Sequence, residues 1–421
     1  MKLALTALLA LATAVSAENW PQWRGPFFNG STTETGLPTT WSATENVAWV
    51  TPLPGFSGAT PAVFGDNVFV SSPDADKNLN LLCLDRVTGK VRWKTTLSTG
   101  DFTHGNNNLA SPSPVTDGRH VWALFATGVL AALDCDGNVL WKRDLARDYG
   151  KFAVMWIYGS SPLLHKGRLY VQVIQRDPPT YKYSLDDKPR RDSYLLCLDP
   201  LTGREHWRHL RATDAVNESM ESYTTPIPLD DKLIVVGADY VTAHRLDTGA
   251  ELWRCGGLNR TRNGWRRIVP TPVVADGNII ACGPKHDPLL AIRDGKLAWE
   301  TKDITPDVCT PLYYRDKLFV LDGDRQTVAC LDPKTGQTRW QGKLEITGDL
   351  IRASLTGADG KLYCISEKGT VLVLEAGDDF KVLAHFKMVG PDEQPCRSSI
   401  VAAQGSLFIR TAKNLYCIRK K

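Results

Sequence analysis

The chain has 421 residues, 43% hydrophobic and 23% charged, with 50 basic side chains against 46 acidic ones and a net charge of +4. That apolar content builds a large core and excludes a disordered chain, and the near-balance of charge excludes a dedicated nucleic-acid binder, which gathers basic residues on one face. No apolar run reaches the ~20 residues needed to span a bilayer, so an ordered, soluble protein is expected.

Residues 1–17 read as a signal peptide. Lys2 supplies the positive start, Leu3 to Val15 an apolar stretch, and Val15-Ser16-Ala17 the small residues that signal peptidase requires. The mature chain is predicted to begin at Glu18 and to be periplasmic or secreted. No Cys lies near the cleavage point, so no lipid anchor is expected. Residues 18–45 form an N-terminal extension, and 46–421 a single domain.

That domain is a repeat. A Ser or Thr, usually followed by Pro, opens a short β-rich run eight times, at Thr60, Ser113, Ser161, Thr225, Thr271, Thr310, Ser354 and Ser399, with gaps of 53, 48, 64, 46, 39, 44 and 45 residues. Each run meets a tight turn such as Gly65-Asp66 or Asp276-Gly277, then a second run such as Val68-Phe69-Val70. The third reads Leu82-Cys83-Leu84-Asp85 or Ala329-Cys330-Leu331-Asp332. A Thr-Gly turn then leads to a fourth run ending in Trp: Trp93, Trp141, Trp207, Trp253, Trp299 and Trp340. Four short strands joined by Gly-containing turns form an antiparallel meander. A lone meander cannot bury both faces, so the copies must stack, and a period near 47 residues with four strands is a propeller blade. The eighth repeat stops after three strands at Ile418. Asn46-Val47-Ala48-Trp49 carries the same terminal Trp and supplies the missing strand, closing the ring. The prediction is an all-β, eight-bladed propeller of four-stranded blades, sealed by an N-terminal strand in the last blade.

Ten cysteines in an exported chain invite disulfides. Yet Cys83, Cys197, Cys330 and Cys417 share one local phrase and therefore one repeat position. Equivalent positions on neighbouring blades lie ~10 Å apart, too far to bridge. Most thiols are expected to be unpaired.

Leu84 to Trp93 and Leu331 to Trp340 resemble the repeat of quinoprotein-type propellers, the PQQ-like (pyrroloquinoline quinone-like) repeat, and weaker copies cover Thr60 to Ile418. Trp20-Pro21-Gln22-Trp23-Arg24-Gly25-Pro26 resembles the start of exported bacterial members. The resemblance implies either of two roles, since the family holds quinone-dependent alcohol and sugar dehydrogenases as well as non-enzymatic propellers similar to the outer-membrane assembly factor BamB. The dehydrogenases carry adjacent cysteines, a calcium site and an Asp base, and no segment here matches any of them. Asp134-Cys135-Asp136-Gly137 and Asp322-Gly323-Asp324 are too short for calcium loops and read as turns. No catalytic residue, cofactor or metal is therefore predicted. Pyrroloquinoline quinone with Ca²⁺ stays open through the resemblance alone, and an enzyme of this chain would be a quinoprotein dehydrogenase.

Topology localises function. Turns between the first and second and between the third and fourth strands share one face and are tight. The other face holds every long insertion: 99–110, 143–158, 175–193, 209–223 and 255–269. Long loops on a rigid scaffold carry binding residues. Ligand candidates there are His104, Trp156, Tyr158, Arg260, Arg262, Trp265, Arg266 and Arg267, with Arg352 and Arg397 near later blade starts. The arginines of 255–269 are expected to repel one another until an anionic partner neutralises them, with Trp265 as apolar anchor. Trp49, Trp93, Trp141, Trp207, Trp253, Trp299 and Trp340 read as wedges that dock blade on blade. The expected function is an exported, non-catalytic, monomeric scaffold that binds a protein, peptide or anionic ligand on the loop face. A quinoprotein oxidoreductase with a divergent site and a carbohydrate-binding propeller are the alternatives.

Overall fold

The computed structural model describes residues 17–42, 44–105, 107–285 and 287–420. Apart from Ala17, the predicted signal peptide lies outside them. Eight four-stranded antiparallel sheets stand around a common axis. In the first blade, strands A to D, counted outward from the axis, are Ala62–Phe64, Asn67–Pro73, Asn78–Asp85 and Val91–Thr99. Six further blades follow in chain order. The eighth consists of Val401–Ala403, Ser406–Arg410 and Asn414–Ile418, completed by Val47–Pro52. That outer strand pairs antiparallel with the chain's last one, with Trp49 opposite Cys417 and Thr51 opposite Leu415. The two ends of the chain thus share one sheet, and no open edge remains at the seam.

Blades dock through a repeated device. The pairing of strands C and D slips by one residue just before each outer Trp, as between Cys83 and Leu84 opposite Trp93. The same slip precedes Trp141, Trp207, Trp253, Trp299 and Trp340, and Trp49 at the seam. A β-bulge re-aims the residue beside it, and here it turns the indole toward the next blade. The ring lands on the glycine of the neighbour's C–D turn: Trp49 on Gly89, Trp93 on Gly137, Trp141 on Gly203, Trp207 on Gly249, Trp253 on Gly295 and Trp299 on Gly336. A Cβ at those glycines would fall 2.4–2.9 Å from the indole, and their φ angles of 68–86° favour glycine besides. Indole N–H groups donate to the same turns, Trp93 to Cys135 O at 2.8 Å and Trp299 to Pro333 O at 3.0 Å.

The N-terminal extension is a strap across the axis on the face of the A–B turns. Trp20 exchanges backbone hydrogen bonds with Val63, Pro21 O accepts from Thr116 N, and Gln22 Oε1 from Leu164 N. Phe28 packs on the third and fourth blades, the Trp23 indole donates to Thr271 Oγ1, and Gly30 and Thr32 bridge to Gly357. Glu34 takes Gln404 N and Gly405 N in the eighth blade. Arg24 is fully buried and donates to Leu355 O and Pro311 O, both at 2.9 Å. Burial without a carboxylate partner pushes its guanidinium down to about 9. The strap thus touches every blade. All ten thiols are unpaired, eight of them buried. No helix among the described residues is long and apolar enough to cross a membrane.

Candidate functional site

Seven of the eight blade joints at the axis are stitched by hydroxyls. The backbone N–H of Thr60 donates to Ser113 Oγ, Ser113 to Ser161, Ser161 to Thr225, Thr225 to Thr271, Thr271 to Thr310, Thr310 to Ser354, and Ser354 to Ser399, at 2.9–3.1 Å. This explains the recurring Ser/Thr. Its side chain caps the preceding blade's first N–H, and the Pro after it opens a strand at a position that owes the ladder no donor. At the eighth joint, between the last blade and the first, Thr60 Oγ1 is buried without a partner.

Above this ring lies a pocket of about 340 Å³. Trp23 of the strap lines it, as do Ser113, Ser161, Thr225, Thr271, Thr310 and Ser354. Asn107, Trp156, Tyr223, Arg267, Arg352 and Arg397 form the wall on the long-loop side. Oxygens of Ser113, Ser161, Thr225, Thr310 and Ser354 each accept a backbone N–H, while their own hydrogens have no acceptor among the described residues. No carboxylate lines the pocket. The lining is therefore rich in donors and carries positive charge without a negative group of its own.

Acids behind the pocket wall set the guanidiniums in place. Arg267 forks onto Asp307 at 3.0 and 3.1 Å, with Glu218 at 3.6 Å behind it. Arg352 pairs with Asp324 at 2.8 Å and Arg397 with Glu367 at 2.6 Å. Glu218 also accepts the Trp156 indole N–H at 2.9 Å. Glu221 is fully buried and accepts from Met155 N, Tyr181 OH and Tyr223 OH; burial pushes its carboxyl up to about 7 against those three donors. Tyr223 OH in turn accepts Trp156 N, so this carboxyl props two walls of the pocket.

Of the residues singled out from sequence, Trp156, Arg267, Arg352 and Arg397 converge on the pocket, and His104 stacks edge-on to Trp156 at 4.8 Å. Tyr158 does not join them. It is buried, packs on Phe152 at 4.4 Å and donates to Gln172 O, because its strand approach turns it inward. The expectation of mutually repelling arginines in 255–269 also needs correcting. Arg260 pairs with Glu300, Arg262 with Asp214, Arg266 lies 4.0 Å from Asp287, and Arg267 is held by Asp307. Acids of neighbouring segments supply the neutralisation that the reading had assigned to a partner. Trp265 stands free of this network, 60% exposed, with Gly264 close to the exposed Val216. Sequence reasoning missed Trp23 and Asn107 as wall residues and the hydroxyl ring as a lining. The Ser/Thr-Pro recurrence at the innermost strand was the available signal.

A quinone with calcium, the cofactor pair of the dehydrogenase branch, does not fit this lining. Its carboxylates would find guanidiniums, but a hard cation needs six to eight oxygens with carboxylates among them. The pocket presents none and would set the ion beside three positive groups. Among the described residues the one trio with metal-ligating groups close together is His209, His244 and Glu251, at the joint of the third and fourth blades. Two of its three groups are already engaged. His244 contacts Gly249 O at 3.0 Å and Thr242 Oγ1 at 2.9 Å, and Arg254 forks onto Glu251 with both bonds at 2.8 Å.

Comparison with known proteins agrees with this architecture. The family model described as outer membrane protein assembly factor BamB matches residues 38–172, 104–340 and 288–409, so the chain belongs to that family of PQQ-like propellers. A search of curated protein sequences finds no match. Among solved structures, BamB from Moraxella catarrhalis is similar with a TM-score of 0.64 at 14% identity, covering 89% of this chain and 99% of the other. A europium-containing methanol dehydrogenase gives 0.71 at 11%, covering 96% and 98%. The quinohemoprotein alcohol dehydrogenase from Comamonas testosteroni gives 0.66 at 11%, covering 96% and 81%. At such identities the likeness is one of fold.

Proposed function

We propose that this chain is an exported, non-catalytic binding propeller, periplasmic or secreted, whose long-loop face receives an acidic segment of a protein partner at the mouth of the axial pocket. The observation that carries the reading is a lining rich in donors and free of carboxylates: three guanidiniums and five hydroxyls whose hydrogens lack acceptors among the described residues. A ligand rich in acceptor oxygens satisfies them, through charge-assisted bonds at the rim and neutral ones at the ring. The acids behind Arg267, Arg352 and Arg397 number four against three cations, which disfavours a polyanion and favours one carboxylate flanked by peptide carbonyls. His104, Trp156 and Trp265 supply apolar contact around the mouth. The family's assembly-factor member supports a partner-binding role, and the misfit of calcium speaks against the quinoprotein alternative.

The test is capture of partners from periplasmic extract by the mature protein and by an Arg352→Gln/Arg397→Gln variant. The proposal expects the variant to lose capture with a melting temperature near that of the wild type. Equal capture by both would contradict it.

A further inference from the structure

The strap is anchored at the eighth blade by a carboxylate that lacks a cation. Glu34 is only 5% exposed. It accepts Gln404 N at 2.9 Å and Gly405 N at 2.8 Å, both from the A–B turn, and its Oε1 also accepts the backbone N–H of Glu18. The Glu18 carboxylate is tied in turn to Thr32 Oγ1 at 2.6 Å and Thr33 Oγ1 at 2.8 Å. Among the described residues no Lys, Arg or His forms an ion pair with either acid, whereas Glu218, buried to a similar depth, lies 3.6 Å from Arg267. A carboxylate taken out of water without a counter-charge is strongly unfavourable.

One nitrogen already in place can become that counter-charge. It is Glu18 N, a neutral amide as long as Ala17 precedes it. Hydrolysis of the Ala17–Glu18 peptide bond adds one water across C–N. Ala17 leaves as a carboxylate, and Glu18 keeps its nitrogen as an α-ammonium with three N–H donors and a positive charge. The small residues of Val15-Ser16-Ala17 mark the same bond for a signal peptidase. Two unrelated observations, a leader pattern ending at Ala17 and a buried uncompensated acid touching the next nitrogen, converge on one bond.

We propose that removal of the leader after Ala17 creates the cation that completes the fold, the α-ammonium of Glu18 serving as the buried counter-ion of Glu34. Export and ring locking are thereby coupled. Before cleavage the strap's first anchor is a neutral hydrogen bond onto a buried carboxylate; afterwards it is an ion pair of the charge-assisted kind. An α-ammonium is charged at neutral pH and neutral in strong base, so its contribution fades as pH rises.

The experiment compares three forms of the otherwise complete domain: protein beginning at Glu18, protein beginning Ser-Ala ahead of Glu18, and the Glu18 form acetylated at its N-terminus. Each is made with Glu34 and with Glu34→Gln. Intact mass of exported material should place the processed start at Glu18. With Glu34 present, the extended and acetylated forms should melt about 2–6 °C below the Glu18 form at pH 7. That gap should close above pH 10 and vanish in the Glu34→Gln background. Acetylation keeps the carboxylate in place, so it reports even where Glu34→Gln folds poorly. A processed start elsewhere, equal melting of the three forms, or a gap that survives Glu34→Gln would each overturn the proposal.

Discussion

At the scale of single residues, buried charge is what the structure adds to the sequence. Arg267 and Asp307 are 40 residues apart and Arg260 and Glu300 likewise, so no local pattern couples them. The sequence showed a run of arginines and invited a repulsion argument; the fold brings each an acid from a neighbouring segment. Glu221 is the clearest titrating case. Its carboxyl ordinarily titrates near 4.5 and is pushed up to about 7, so the folded state holds the proton more tightly than the unfolded chain does. Its contribution is intact below about pH 4.5 and is lost as pH rises to 7, on the order of 3 kcal/mol across that window. Urea unfolding at pH 5 and pH 8 should therefore show a smaller fall for Glu221→Gln than for the wild type. An equal fall would mean that this carboxyl is ionised in the native pocket wall. Trp265 makes the opposite case. Being 60% exposed, its replacement by Ala should change stability by less than about 0.5 kcal/mol while weakening partner capture. A collapse in melting temperature would show that it packs rather than binds.

At the scale of elements, most of the fold was legible because it is local and repeated. The Ser/Thr-Pro start, the Gly turns and the terminal Trp each recur with a period set by one blade, and each has a local reason to be that residue type. What stayed hidden was how they join. The bulge before each Trp and the landing of its ring on the next blade's glycine need two blades to be seen together. That contact makes a sharp prediction. Gly249→Ala puts a methyl 2.5 Å from the Trp207 ring at a φ of 74°, where an L-residue is strained. The variant should lose about 2–4 kcal/mol in chemical denaturation, more than an Ala at an exposed turn glycine such as Gly167, which meets nothing within 4 Å. Similar losses at both positions would mean that backbone strain alone decides. The extra hairpin of Thr103–His104 and Asn107–Asn108 was not read from sequence at all, since two-residue strands carry no period.

At the scale of the whole molecule, the N-terminus performs two tasks, and only one was foreseen. The seam strand was legible by counting, because a missing fourth strand and a spare Trp49 demand each other. The strap was not, because Trp20 to Thr32 follows no repeat and its partners lie up to 331 residues away. Its buried Arg24 joins the sixth and seventh blades through the carbonyls of Pro311 and Leu355. Deleting residues 18–52 should therefore remove both the outer strand and the axial floor, and a cooperative melt should give way to aggregation. A stable, cooperative truncated ring would contradict the closure.

The proposed partner-binding surface is the face of long loops, centred on the axial pocket. Site-specific photo-crosslinking in the exporting cell tests it most directly, with a benzophenone side chain placed at Trp265 on that face or at Lys334 on the opposite C–D turn. Binding at that face predicts a discrete crosslinked adduct from Trp265, abolished by Arg352→Gln/Arg397→Gln, and none from Lys334. Adducts from Lys334 alone, or from Trp265 undiminished by the arginine substitutions, would contradict it.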